Sequence, residues 1–340
     1  MEYKFCIGID VSKNTLDIGL LISQYPESVN HKQVSNNDIG IASMLSWLSE
    51  HDGFSIESSL FCLEHTGMYN YPLLQFFSQN HASVWVENPI QIKKSLGLQR
   101  GKNDKIDAIR IAQYAYRSKD KVKLWRPSRD VVDKLKHLSA LRERLVETKK
   151  RLETPVQELL QIGNEAIAKV LEKSMRKTMN GLDKDLKAIE VQMKEVIDRD
   201  DDLKRLYQLV TSVVGIGFVT AVNLIVYTNE FKLFSNHRQL ACYSGIAPFE
   251  YRSGSSIRGR TKVSHMANKK MKRNLHMASL TGVKLDEGLK AYYERKVASG
   301  KNKMSVLNAI RNKLLARVFA VVNRGIPYQK INYQNQFVLS

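Results

Sequence analysis

The stretch GKNDKIDA, residues 101–108, sets two carboxylates, Asp104 and Asp107, one helical turn apart among lysines. Acids at that spacing stack on one face of a helix. They are either a surface patch neutralised by its lysines or half of a divalent-metal site. Two further acids stand where strands should end, Asp10 in IGIDVSK and Glu64 in FCLEHTG. Asp10 closes an apolar run in which Gly8 admits close backbone approach, a place where a carboxylate is rarely decoration. Gathered at one edge of a sheet, these four acids would suit a pair of Mg²⁺ ions, hard cations that take oxygen ligands and promote attack on phosphodiesters. Taken singly, Asp104 also has a plainer role, as an acid favoured by the dipole at a helix start.

A second set of residues lies near the other end. Eight basic residues and no acid fall between Arg252 and Arg273, namely Arg252, Arg258, Arg260, Lys262, Lys269, Lys270, Lys272 and Arg273. Within this run, RSGSS forms a loop with Ser253 beside Arg252 and two more serines, Ser255 and Ser256, after the glycine. A serine attacks phosphorus when its proton is removed and guanidinium groups hold the phosphate charge. The same loop would serve as a phosphate grip in which serines only donate hydrogen bonds. Upstream, VVGIGFVTA carries Gly215 and Gly217 in the spacing of a helix-hairpin-helix, where backbone N–H groups meet a phosphate. An ordinary tight turn reads the same way.

These residues need elements to hold them. Over residues 1–125, strand patterns (KFCIGID, TLDIGLLIS, SSLFCLE, SVWVEN) alternate with helical ones (DIGIASMLSWLSE, YPLLQFFSQN, DKIDAIRIAQYAYR). The alternation predicts an α/β domain, a sheet flanked by helices. Over 126–205 the texture is heptad-like: Val131, Leu138, Leu145, Leu152 and Leu159, then Leu182, Ile189, Val196 and Leu203, with Leu186 and Met193 on the alternate seam. Two such series separated by SMRKTMNG predict a helical hairpin or oligomerising coiled coil. Arg142 and Lys149 interrupt the seam and call for a partly polar partner, and Pro155 predicts a kink near the end of the first helix. Residues 206–340 read as helical, glycine-punctuated and basic. The uncharged stretch 206–228 is long enough to span a bilayer, but its scattered Gln, Thr, Ser and Asn and its two central glycines argue for a buried segment.

The 340 residues carry a formal net charge of +19, unevenly spread. Residues 1–120 hold 11 Lys and Arg against 13 acids, whereas 206–340 hold 21 against 5. A neutral head joined to a basic tail points to a polyanion, most often nucleic acid, on the C-terminal side. Cys6, Cys62 and Cys242 are far apart in the sequence and form no CxxC, which excludes a cysteine-cluster zinc site and argues against a disulfide scaffold. With no basic and apolar leader pattern at the start, a cytoplasmic setting is expected.

Together, IGIDVSK, LEHTG and GKNDKIDA, then VGIGFVTA, YSGIAPFEYRSGSS and the basic helix, resemble the insertion sequence 110 family of transposases, relatives of Piv-type DNA invertases. The resemblance covers nearly the whole chain. It implies a RuvC-like, RNase H-fold first domain with Asp10, Glu64, Asp104 and Asp107 as metal ligands, a coiled-coil insertion, and a mostly helical C-terminal domain whose nucleophile matches Ser253. It also implies double-stranded DNA as substrate, an element-encoded guide RNA and a homo-oligomer, dimer or tetramer, in the prokaryotic cytoplasm. The chain departs from the family where Ser255 replaces a second glycine and where His265 and Ala267 stand in the basic motif, so Ser255 and Ser256 stay in reserve as nucleophiles. The activity expected is a DNA transposase that cuts and rejoins strands. Its rivals are a hydrolytic nuclease of the Holliday-junction type using the same acids, and a nucleic-acid-binding protein without catalysis.

Overall fold

The computed structural model describes residues 3–65, 67–95, 97, 103–253 and 257–329, without the side chains of 251–253, 257, 258 and 260. The chain divides into two compact units, Met1–Pro127 and Ser128–Ser340.

In the first unit, β1 (Phe5–Val11) and β2 (Thr15–Ile22) form a hairpin. In its turn, the Ser12 hydroxyl accepts the Thr15 N–H at 3.0 Å. β3 (Val29–Ser35) extends the antiparallel meander. After α1 (Asp38–Ser49), β4 (Ser59–Glu64) returns parallel to β1. After α2 (Tyr71–Gln79), β5 (Ser83–Glu87) lies parallel to β4. The order across the sheet is β3-β2-β1-β4-β5. Phe5, Ile7 and Ile9 of β1 pack with Met44 and Leu48 of α1 and Phe77 of α2. Cys6, on the opposite face, packs with Ile92 of α3 (Pro89–Ser95) and with Ile111, Ala112 and Ala115 of α4 (Asp104–Arg117). Helices therefore cover both faces, as the alternation of patterns requires.

Two elements of this unit escape the sequence pattern. β3 reads VNHKQVS, and only Val34 of it is buried, because an edge strand carries little apolar signal. α3 is a seven-residue helix, too short for periodicity to register.

The second unit opens with α5 (Asp130–Gln161) and α6 (Glu165–Asp198). Arg142 meets Glu190 at 2.7 Å and Lys149 meets Asp183 at 2.5 Å, so partners descend α6 as they rise along α5. The pair is antiparallel, and the two cations that interrupt the seam find acids across it. Leu138 and Leu145 pack with Ile189, Met193 and Val196. SMRKTMNG does not separate the helices but lies inside α6. The turn falls instead at Gly163 (φ +78), where glycine takes the left-handed backbone freely. Asn164 then caps α6. α5 continues past Pro155 to Gln161.

α7 (Asp201–Thr211) and α8 (Phe218–Thr228) divide the uncharged stretch. Among the described residues, no helix is long and apolar enough to cross a membrane. Arg129, just before α5, binds Asp200 at the start of α7 at 2.8 Å, and also Glu230. This bonding holds the Asp200 carboxyl below the usual carboxylate range. α9 (His237–Tyr243) leads into an antiparallel hairpin of β6 (Pro248–Ser253) and β7 (Ile257–Val263). α10 (Lys269–Leu285), α11 (Glu287–Ala298) and α12 (Lys303–Arg324) complete the unit. Leu240, Ile246, Met271, Leu275, Ile310 and Leu314 are among the residues of its core. The hairpin corrects the reading of this region as helix and loop: Ser253 closes β6 rather than sitting in a loop.

Candidate active site

α4 reaches the sheet through two glycines. Gly8 and Gly19 pair in register on β1 and β2. A Cβ on Gly8 would lie 2.1 Å from the Ala112 nitrogen, and one on Gly19 would lie 2.8 Å from the Ala108 oxygen. Only glycine admits helix backbone so close. One turn back along α4 from Ala108 covers about 6 Å, and two residues along β1 from Gly8 cover about 6.8 Å. These matched steps bring Asp104 and Asp107, in the first turn of α4, to Asp10 near the end of β1. The Asn103 side chain caps that turn, accepting the Ile106 N–H at 2.7 Å.

The strands supply the other acids in register. Ile9 pairs with Leu63, so Asp10 and Glu64, next along two parallel strands, are neighbours. Asp10 also pairs with Asp17, Asp17 with Gln33, and Glu64 with Glu87. Side chains alternate along each strand, and these five share the face that α4 covers. A single transverse row thus reads Gln33, Asp17, Asp10, Glu64, Glu87.

The acids act on one another. The half-buried Asp10 carboxyl is pushed up to about 6, first by burial, then by the charges of Asp104, Glu64, Asp107 and Asp17. Asp107 also binds Arg110 at 2.9 Å, while Asp104 is exposed. The Glu64 backbone oxygen accepts from Asn70 at 2.7 Å. At the end of the row, Tyr114 of α4 donates to Glu87 at 3.0 Å, and burial together with Glu87 pushes the tyrosine hydroxyl up, keeping it a donor. Among the described residues, no three His, Cys, Asp or Glu side chains form a ready metal cage. The donor set is nonetheless all oxygen, and its mutual repulsion bears on a half-buried carboxyl, which a divalent cation would relieve. Asp17 and Glu87 were not singled out from sequence. Strand register was the missing signal, since the turn at residues 12–14 already places Asp17 opposite Asp10.

The second unit holds the other expected residues. Arg252 and Arg258 are cross-strand partners in the β6–β7 hairpin, and Ser253 pairs with Ile257. The side chains of Arg252, Ser253, Arg258 and Arg260, and the whole of Ser255 and Ser256, lie outside the described residues. Lys262 is exposed on β7; Lys269, Lys270 and Arg273 are exposed on α10, and Lys272 is half-buried there. Lys270 and Arg273 each reach Glu143 of α5 at 2.6 Å. The two glycines part company. Gly215 (φ +99) turns the chain between α7 and α8, and a Cβ there would meet the Ala278 oxygen of α10 at 2.7 Å. Gly217, at the start of α8, has open space around it.

Comparison with known proteins gives this arrangement a family. Residues 7–164 match a family model described as a transposase, that of the DEDD transposases of IS110, and residues 207–294 match the model of the transposase IS116/IS110/IS902 family. The first span includes Asp10, Glu64, Asp104 and Asp107; the second includes Ser253 and the basic run. The chain is similar to the pilin gene-inverting protein of Moraxella bovis, 28% identical over 335 residues, 96% of this chain and 98% of that one. Its counterpart in Moraxella lacunata is similar to the same extent. An insertion element IS110 uncharacterized 43.6 kDa protein of Streptomyces coelicolor is 26% identical over 156 residues, 46% of this chain and 37% of that one. The resemblance read from the acidic and basic motifs is thereby borne out, and the chain belongs to the IS110 family of transposases.

Proposed function

We propose that this transposase cuts and rejoins DNA at a composite site, with Asp10, Glu64, Asp104 and Asp107 holding two Mg²⁺ ions and Ser253 attacking the scissile phosphate. The observation that carries this reading is the strand register that sets Asp10 beside Glu64 at the sheet edge, with Asp104 and Asp107 in the first turn of α4 close enough for their charges to act on the Asp10 carboxyl. The bound ions would polarise the phosphate and offset its charge. Asp10 and Glu64 hold from the sheet edge, and Asp104 and Asp107 from the first turn of α4. The Ser253 hydroxyl gives up its proton and bonds to phosphorus as a phosphorus–oxygen bond of the DNA strand breaks, with the proton passing to the leaving hydroxyl. The resulting serine–DNA phosphodiester keeps the bond energy, and attack by a DNA hydroxyl expels the serine and rejoins the strand. Arg252 and Arg258, paired across the hairpin, steady the phosphate charge.

Other features support the wider reading. A meander followed by two parallel strands, with α4 across β1, fits an RNase H-like, RuvC-like fold for residues 1–125. The leucine seam of α5 and α6 closes within the pair and supports residues 126–205 as a coiled-coil hairpin, while the exposed Leu160, Ile162, Ile167 and Val170 at its turn support a contact that joins protomers into a dimer or tetramer. Gly217 at the open start of α8 supports a helix-hairpin-helix-like phosphate contact within a DNA-binding part, residues 206–340. The pilin gene-inverting relatives, alike over nearly the whole chain, support strand exchange rather than cutting alone. The guide RNA rests on the family resemblance and on a basic second unit that suits a polyanion.

The test is a covalent-adduct assay on the full chain with DNA carrying the element's ends. With Mg²⁺, a denaturant-resistant protein–DNA adduct is expected; Ser253→Ala or a chelator abolishes it. Cutting by Ser253→Ala at the parent's rate removes the serine from the mechanism and leaves a hydrolytic nuclease. Normal cutting by Asp10→Ala and Glu64→Ala sinks the metal site as well.

A further inference from the structure

The row of residues across the first sheet extends past Asp10 to an acid without a role in the scheme above. Asp17 is 2% exposed and pairs with Asp10 in register. A carboxylate so buried is costly unless its oxygens are satisfied. Here both are. His31 Nε2 lies 2.8 Å from one oxygen and Gln33 Nε2 donates to the other at 2.9 Å. Both donors come from β3, an edge strand whose buried apolar content is Val34 alone. Among the described residues, no lysine or arginine takes part in this arrangement, and the carboxylate is oriented by the two β3 side chains. Its electrostatic reach is already visible, for Asp17 is among the charges acting on Asp10.

We propose that Asp17, held by His31 and Gln33, is a positioning residue of the metal site: a fixed negative charge behind Asp10 that strengthens cation binding without touching the cation. The proposal rests on the reading that the four acids bind divalent ions. Glu64 flanks Asp10 on one side in the sheet and Asp17 flanks it on the other, so Asp10 is held between two carboxylates. Residues that orient and charge metal ligands from behind typically change metal affinity by about 10–100-fold when replaced. β3 therefore has a function beyond extending the sheet: it carries the two donors that keep Asp17 in place.

The experiment measures Mn²⁺ binding to the full-length protein, without DNA, by loss of the free-ion paramagnetic resonance signal, alongside thermal unfolding. Asp17→Asn, nearly the same shape without the charge, should weaken Mn²⁺ binding about tenfold. His31→Phe should weaken it in the same direction, and His31→Gln, which restores a donor, should recover most of the loss. A purely structural role would move the unfolding temperature and leave Mn²⁺ affinity alone. Parent-like affinity in Asp17→Asn overturns the proposal. Should that variant fail to fold, His31→Phe at its partly buried position decides, and unchanged affinity there overturns the proposal equally. Asp10→Asn separates the two levels of inference. If it too binds Mn²⁺ like the parent, the four-acid site itself is wrong; if it alone loses binding, only the role of Asp17 fails.

Discussion

Without a cation, Asp10 costs the first unit stability. Its carboxyl, at about 6 in the fold against an ordinary value of 3.8, holds its proton more tightly folded than unfolded. At pH below about 4 it is protonated in both states and contributes nothing. As pH rises from about 4 through about 6, the unfolded chain releases the proton first, and the folded state loses stability. Asp10→Asn should therefore melt higher than the parent at pH 7.5 in metal-free buffer. After allowance for solvent screening at a half-exposed site the gain is about 1 kcal/mol, or roughly 2–4 °C. At pH 3.5 the two melting curves should coincide, and a gain that persisted there would show that charge is not the cause. Asp10, Glu64, Asp104 and Asp107 were legible in the sequence because each ends or starts an element with a clear apolar pattern. Asp17 and Glu87 were not, since what marks them is pairing across strands, which no single stretch records.

At the scale of elements, the placement of α4 depends on the two facing glycines. Gly8→Ala would push a methyl group into the Ala112 backbone, which cannot move aside as a flexible side chain does. Overpacking of this kind costs about 1–3 kcal/mol. It should also lift the start of α4 from the sheet, so the Asp10 carboxyl should titrate nearer its ordinary value by NMR; an unmoved titration would refute the seating role. In the second unit, Glu143 of α5 occupies two cations of α10. Glu143→Gln should release Lys270 and Arg273 and tighten DNA binding about threefold, as expected for exposed ion pairs worth roughly 0.5–1 kcal/mol together. Fluorescence anisotropy at fixed salt would check this, and weaker binding would count against α10 as a DNA-facing helix. Strong periodicity made the long elements readable: β1, β2, β4, β5, α1, α2, α4 and the α5–α6 pair. The turn between α5 and α6 was misplaced because Gly181 and its polar neighbours look like a break, whereas the helix tolerates a glycine with open space beside it at about 1 kcal/mol. The β6–β7 hairpin was hidden by its basic, serine-rich composition, which reads as loop.

For the whole molecule, charge follows the division into units. Met1–Pro127 holds 14 Lys and Arg against 13 acids, and Ser128–Ser340 holds 39 against 21, so the second unit carries +18 of the net +19. Affinity for DNA should fall steeply with salt, with a log–log slope of roughly −0.9 per phosphate neutralised. Replacing both Lys262 and Lys269 by alanine should make that slope shallower by about two; a slope that did not change would mean that neither lysine meets a phosphate. The composition showed this asymmetry before any element was assigned. What it could not show is how the helical pair is anchored. Arg129 ties the root of α5 to Asp200 and Glu230, while Leu160, Ile162, Ile167 and Val170 stand exposed around the far turn. At 1.5 Å per residue, α5 spans about 48 Å between these ends. Glu143, bonded to Lys270 and Arg273 of α10, ties the pair again partway along, so about 27 Å of α5, from Glu143 to Gln161, lies beyond that second anchor. The greasy turn is thereby presented to any apolar counterpart at a distance from the ion pairs that anchor it.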